Sequence, residues 1–161
     1  MTNSAPNGSA MYKEQVERLG AISFVPNGVS MWPIIKNRGQ SVIIEKKQGR
    51  LKRFDVAFYQ RDNGNCVLHR VMKVTDNGYI MCGDSQFALE IVDEDKVFGV
   101  MTGFYKKDKY IPVTDEDYLN SVERWYKRKK TRRFKVTIFI FFYKVKNKLK
   151  RIFKKEKRAD V

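Results

Sequence analysis

Turn-forming runs built on asparagine and glycine cut most of this chain into pieces too short for anything but small strands. PNG at residues 26–28, KNRG at 36–39, DNGN at 62–65 and DNG at 76–78 alternate with β-branched and aromatic runs. AISFV, SVIIE, FDVAFYQ, CVLHRVMKV, YIMC, VFGVMTGFYK and KYIPV each read as a strand. The Asn-Gly pairs suit tight hairpins, because those turns need residues that tolerate positive φ. Turns recurring about every 8–12 residues predict a mainly β fold, an antiparallel sheet closed into a compact barrel or sandwich. Ahead of it, residues 11–20 predict a short helix ended by Gly20. The leading MTNSAPNGSA reads as a disordered leader.

The pattern changes at Thr114. TDEDYLNSVERWYKRKK predicts a helix with Thr114 as N-cap, Asp117 at the third helical position, acids in the first turn and bases in later turns. Three regions follow: a leader at 1–10, a β domain at 11–113 and a basic helical extension at 114–161. Charge separates them sharply. The 161 residues carry a net +15, yet residues 1–126 hold 17 Lys+Arg against 16 Asp+Glu. Residues 127–161 hold 16 against 2. The β domain is therefore nearly neutral, and the positive field belongs to the tail.

Other classes are disfavoured. Cys66 and Cys82 are too few for a disulfide framework and lack the spacing of a zinc site. No metal or cofactor is expected. The N-terminal residues lack the basic start and apolar core of a signal peptide, and no run reaches the roughly 20 apolar residues that span a bilayer. A cytoplasmic protein is expected.

Two residues carry potential chemistry. Ser30 sits in GVSMWPII, between a glycine turn and Pro33. A serine hydroxyl is a weak nucleophile unless a base lies within hydrogen-bond reach. The single histidine, His69, lies in CVLHRVMKV, where strand alternation puts it in a row with Val67 and Val71 and sets Cys66 on the opposite face. An imidazole held there is a candidate general base, expected to titrate near pH 7.

Five segments in order resemble the boxes of the S24/S26 peptidase family, the group holding type I signal peptidases and self-cleaving repressors. FVPNGVSMWPII looks like its serine box, FDVAFY like its next strand, VLHRV like the box of the base, CGDS like its Gly-Asp box and VFGVM like its closing strand. The resemblance implies a signal-peptidase-like fold and a serine peptidase with a Ser30–His69 dyad. Asp84 would orient His69 or stabilise its charged form, Met31 and Trp32 would line the substrate groove, and backbone N–H groups, that of Ser30 first, would hold the oxyanion. Two departures stand out: Gly28 occupies a position where many signal peptidases have a helper serine, and Gln40 stands near a position that often carries an acid. A catalytically inactive module that binds a peptide or partner on the same fold is the alternative. A self-cleaving repressor ranks lower, because only some 20 residues precede AISFV.

In the tail, Phe134, Ile138, Phe141, Val145, Leu149 and Ile152 recur at helical spacing among lysines and arginines. An apolar stripe flanked by cations predicts a helix lying on an anionic membrane, which would hold the protein peripherally on the inner membrane surface. The competing reading packs the stripe on the β domain. Nucleic acid is a lesser candidate, since the charge suits phosphate but no recognition motif accompanies it. The expected partners are a peptide or precursor-protein substrate and the membrane surface.

Overall fold

A computed structural model of the protein describes residues 8–37, 39–128, 131–143 and 145–146. It divides into two compact units, Met1–Val122 and Glu123–Val161. The first is a mainly antiparallel β structure. Its strands are β1 (Ala21–Phe24), β2 (Gln40–Lys46), β3 (Val56–Gln60), β4 (Cys66–Thr75), β5 (Gly78–Cys82), β6 (Glu90–Asp93), β7 (Val97–Lys106) and β8 (Lys109–Pro112). They pair in the order β1-β2-β7-β3-β4-β5-β6, and β8 adds to β7.

The turn signals explain the local order. Gly64 adopts φ 81° in the β3–β4 hairpin, a region that glycine enters without steric cost. Helix α1 (Gly8–Leu19) begins inside the expected leader and ends where Gly20, at φ 77°, donates its N–H to the Val16 carbonyl at 3.0 Å. The chain turns there directly into β1. Val16 is fully buried, and Tyr12 of α1 meets Phe24 and Phe58 at ring-centroid distances of 5.0 and 5.9 Å. This aromatic cluster fastens α1 to β1 and β3. A second apolar cluster gathers Ala57, Tyr59, Val71, Tyr79, Met81 and Val92 from β3, β4, β5 and β6. Each fully buried valine or methionine in it contributes roughly 1.5–3 kcal/mol through area removed from water.

Helix α2 (Glu116–Lys127) starts later than the sequence signal placed it. Its cap is Asp115, not Thr114: the Asp115 carboxylate accepts the Tyr118 N–H at 2.9 Å, three residues on. An ionised Asp is the stronger acceptor and also suits the positive end of the helix dipole. The first turns of α2 belong to the β unit, because Tyr118 and Val122 are buried and the Tyr118 ring meets Phe104 of β7 at 5.7 Å. The boundary thus falls after Val122, nine residues beyond the end of the expected β domain.

Arg70 of β4 is completely buried. Its Nε and Nη2 donate to the two oxygens of Asp84 at 2.8 and 2.7 Å, and Nη1 donates to the Phe54 carbonyl at 2.9 Å and to the Tyr118 hydroxyl at 3.1 Å. Phe54 holds a positive φ of 76°, unusual for a residue with a side chain. The Arg70 bond to its carbonyl and the bond from its N–H to the Val71 carbonyl at 2.8 Å fix it there. Removing one partner of such a pair leaves the other charge buried alone. Arg70→Met is therefore expected to lower the unfolding free energy by about 3–5 kcal/mol, read from urea denaturation at pH 7. A loss below about 1 kcal/mol would show that the pair does not hold the fold.

Candidate functional site

The nucleophile candidate stands on a tight turn between β1 and β2. Trp32 N–H bonds to the Val29 carbonyl at 3.0 Å, and Ile35 N–H to the Met31 carbonyl at 2.9 Å. These helical-type bonds rotate successive side chains by about 100°. Ser30 and Met31 consequently line a cleft of about 370 Å³, whereas Trp32, expected in the groove as well, is half-buried outside that lining. Met31 is buried and lines the cleft.

The turn is tied down by the CGDS segment that follows β5. Ser85 donates its N–H to the Ser30 carbonyl at 2.8 Å and its hydroxyl to the Val29 carbonyl at 2.8 Å. Gly83 permits this approach, since a Cβ there would lie 2.8 Å from the Ser30 carbonyl oxygen. Gly28 adopts φ 153°, which disfavours a side chain at that position. The backbone N–H groups of Ser30 and Met31 make no hydrogen bond among the described residues.

His69 lines the same cleft from β4, opposite Ala57 of β3. Its Nδ1 lies 3.1 Å from the Tyr59 hydroxyl, which donates at 2.8 Å to the Glu90 carboxylate. Arg61 grips that carboxylate with two bonds, Nε to Oε1 at 2.7 Å and Nη2 to Oε2 at 2.6 Å. Arg61 holds the Glu90 carboxyl below its ordinary range, so Glu90 accepts and does not donate. Tyr59 has a single proton, which goes to Glu90. The Tyr59 oxygen then accepts from His69, placing the imidazole proton on Nδ1 and leaving the lone pair on Nε2. Burial raises the Tyr59 phenol far above its ordinary value, which keeps that proton in place.

Burial also lowers the His69 pKa to about 4; Glu90 and Asp84 oppose the shift and Arg61 adds to it. The imidazole is therefore neutral at pH 7 and titrates well below the value near 7 expected from sequence. Asp84, expected to orient His69 or to stabilise its charged form, favours the protonated imidazole through its charge and gives its two oxygens to Arg70. The reason is that Arg70, next to His69 on β4 and facing the other way, is completely buried and must be paired. The acid connected to His69 is Glu90, with its Oε2 at 3.8 Å from Nδ1. No hydrogen bond joins Ser30 and His69 among the described residues. Sequence reasoning missed Tyr59, Glu90, Arg61 and Ser85; Glu90 opens β6, a strand of four residues that is too short to show an alternation.

In the second unit, residues 131–143 are helical. Phe134, Ile138 and Phe141 are exposed, as is Val145 beyond them; Leu149 and Ile152 lie outside the described residues. No helix among the described residues is long and apolar enough to cross a membrane, and none of their His, Cys, Asp and Glu side chains cluster as metal ligands. No family model and no curated protein matches the chain.

The buried imidazole makes a pH prediction. His69 has a lower pKa folded than unfolded, so unfolding takes up a proton between pH 6.5 and 4. The stability due to neutral His69 is complete above pH 6.5 and is lost as pH falls through that window, up to about 3 kcal/mol at about 1.4 kcal/mol per pH unit. His69→Asn is expected to flatten this part of the stability curve. An unchanged slope in the variant would show that His69 is not its source.

Proposed function

We propose that the chain is a serine peptidase of the S24/S26 type, with a signal-peptidase-like fold and a Ser30–His69 dyad. The observation that carries the reading is the joint placement of Ser30 and a neutral, Nδ1-protonated His69 along one cleft. Nε2 of His69 accepts the Ser30 proton as Oγ attacks the scissile carbonyl, and returns it to the leaving amine. The developing imidazolium is stabilised through Tyr59 by the Glu90 charge. The N–H groups of Ser30 and Met31 hold the oxyanion, in a site without the helper hydroxyl that Gly28 excludes.

Labelling by a fluorophosphonate probe, with cleavage of a mixed peptide library read by mass spectrometry, tests this reading. The parent is expected to label at Ser30 and to cleave. Ser30→Ala abolishes both, His69→Ala lowers the rate by at least about 10³-fold, and Glu90→Gln lowers it by about 10- to 100-fold. Cleavage by Ser30→Ala at the parent's rate would refute the mechanism. The close burial of His69, 3% exposed, and its lack of a bond to Ser30 favour a second reading, an inactive module that binds a peptide in the same cleft. A parent that neither labels nor cleaves, yet retains a peptide, would establish it.

The tail supports peripheral attachment at the inner membrane surface. Phe134, Phe141 and Phe142 are about two-thirds exposed, and Arg133, Lys135 and Lys146 are exposed among them. Flotation with vesicles should show binding to anionic and not to neutral lipid. Each exposed cation replaced by Gln is expected to weaken binding about fivefold, from about 1 kcal/mol per charge near the surface. Binding to nucleic acid alone, or to neither, would remove the membrane reading.

A further inference from the structure

The cleft that holds Ser30 and His69 is walled mostly by apolar side chains, including Phe24, Val29, Phe58 and Leu68. Among the described residues lining it, Arg61 is the single charged side chain. Its backbone is fixed in the β3–β4 turn: Arg61 N–H bonds to the Asn65 carbonyl at 3.0 Å, and its carbonyl accepts the Gly64 N–H at 2.9 Å. Its guanidinium is clamped by Glu90 through Nε and Nη2. Nη1 makes no hydrogen bond among the described residues, and the side chain is 40% exposed. A fixed guanidinium with uncommitted donors at the edge of an apolar cleft is a carboxylate receptor, because little side-chain freedom is lost when it binds.

Building on the peptidase reading, we propose that Arg61 is a specificity-determining residue and that the cleft selects an apolar peptide segment bearing one carboxylate. That carboxylate belongs to an Asp or Glu side chain or to the peptide's C-terminus. The arrangement also couples recognition to chemistry. The Arg61 charge opposes protonation of His69, and a substrate carboxylate on Nη1 offsets that charge. The gain from an acidic substrate then appears in kcat as well as in KM.

Peptidyl phosphonates that trap the serine test this directly. Matched apolar peptides carry Glu, Gln or Lys at each position in turn, with the C-terminus free or amidated, and inactivation rates are compared. The parent is expected to react about 3- to 10-fold faster with Glu than with Gln at one position, and slowest with Lys. If the free C-terminus supplies the group, amidation lowers the rate by the same factor at every side chain. The preference is expected to shrink in high salt, vanish in Arg61→Gln and reverse towards Lys in the exchanged pair R61E/E90R. Equal parent rates for all three side chains, with no effect of amidation, would overturn the proposal while leaving the peptidase reading standing. So would a preference that survives Arg61→Gln. Should that variant not fold, a parent preference insensitive to salt overturns it equally. A parent that reacts with no probe at all overturns both.

Discussion

A guanidinium with no exposure to water cannot stand alone, and Arg70 organises the β unit around that requirement. Four of its hydrogen bonds reach Asp84 after β5, the strained Phe54 before β3 and Tyr118 on α2. Segments far apart in sequence are thereby held to the middle of β4. Ion pairs of this kind contribute little net stability over an apolar substitute, because both charges lose water. They are exacting about geometry, however, since any partner that moves leaves a buried charge unsatisfied. The cost of disorder is what fixes the turn that carries Gly83 and Ser85.

The candidate site inherits that order. Asp84 lies between Gly83, which the Ser30 carbonyl approaches closely, and Ser85, which holds the carbonyls of Val29 and Ser30. The serine turn is in this way referenced to β4, the strand that also carries His69. Adjacent residues on β4 serve two faces: Arg70 secures the scaffold and His69 faces Tyr59 and Glu90. One strand sets both the position of His69 and that of the segment bracing the Ser30 turn.

Much of this was legible in the sequence where signals are local. Asn-Gly turns and β-branched runs located seven of the eight strands, because each strand and turn announces itself within a few residues. The missing strand, β6, is four residues long and largely exposed, so it has too little periodicity to register. Ser30 and His69 stood out because a lone histidine limits the choices for a base. The acid was harder. Asp84 lies close to the base in strand order and has the right charge, but its immediate competitor Arg70 is buried more completely and claims it. Glu90 acts through Tyr59, 31 residues away, and such an intermediary leaves no spacing to read. Burial set the His69 pKa below the expected value for the same reason: desolvation depends on packing that a strand pattern does not express.

The serine turn is gripped by its backbone. Ser85 binds carbonyl oxygens of residues 29 and 30, and the Ser30 hydroxyl bears none of the scaffold. The side chain at position 30 is thus uncoupled from the architecture that presents it. Alanine or cysteine there changes the atom presented to the cleft while the surrounding cleft keeps its shape. Under the proposed peptidase reading, an occupied, unreacted complex could then be captured in an otherwise native molecule, and the identity of a bound peptide read from what such a trap retains.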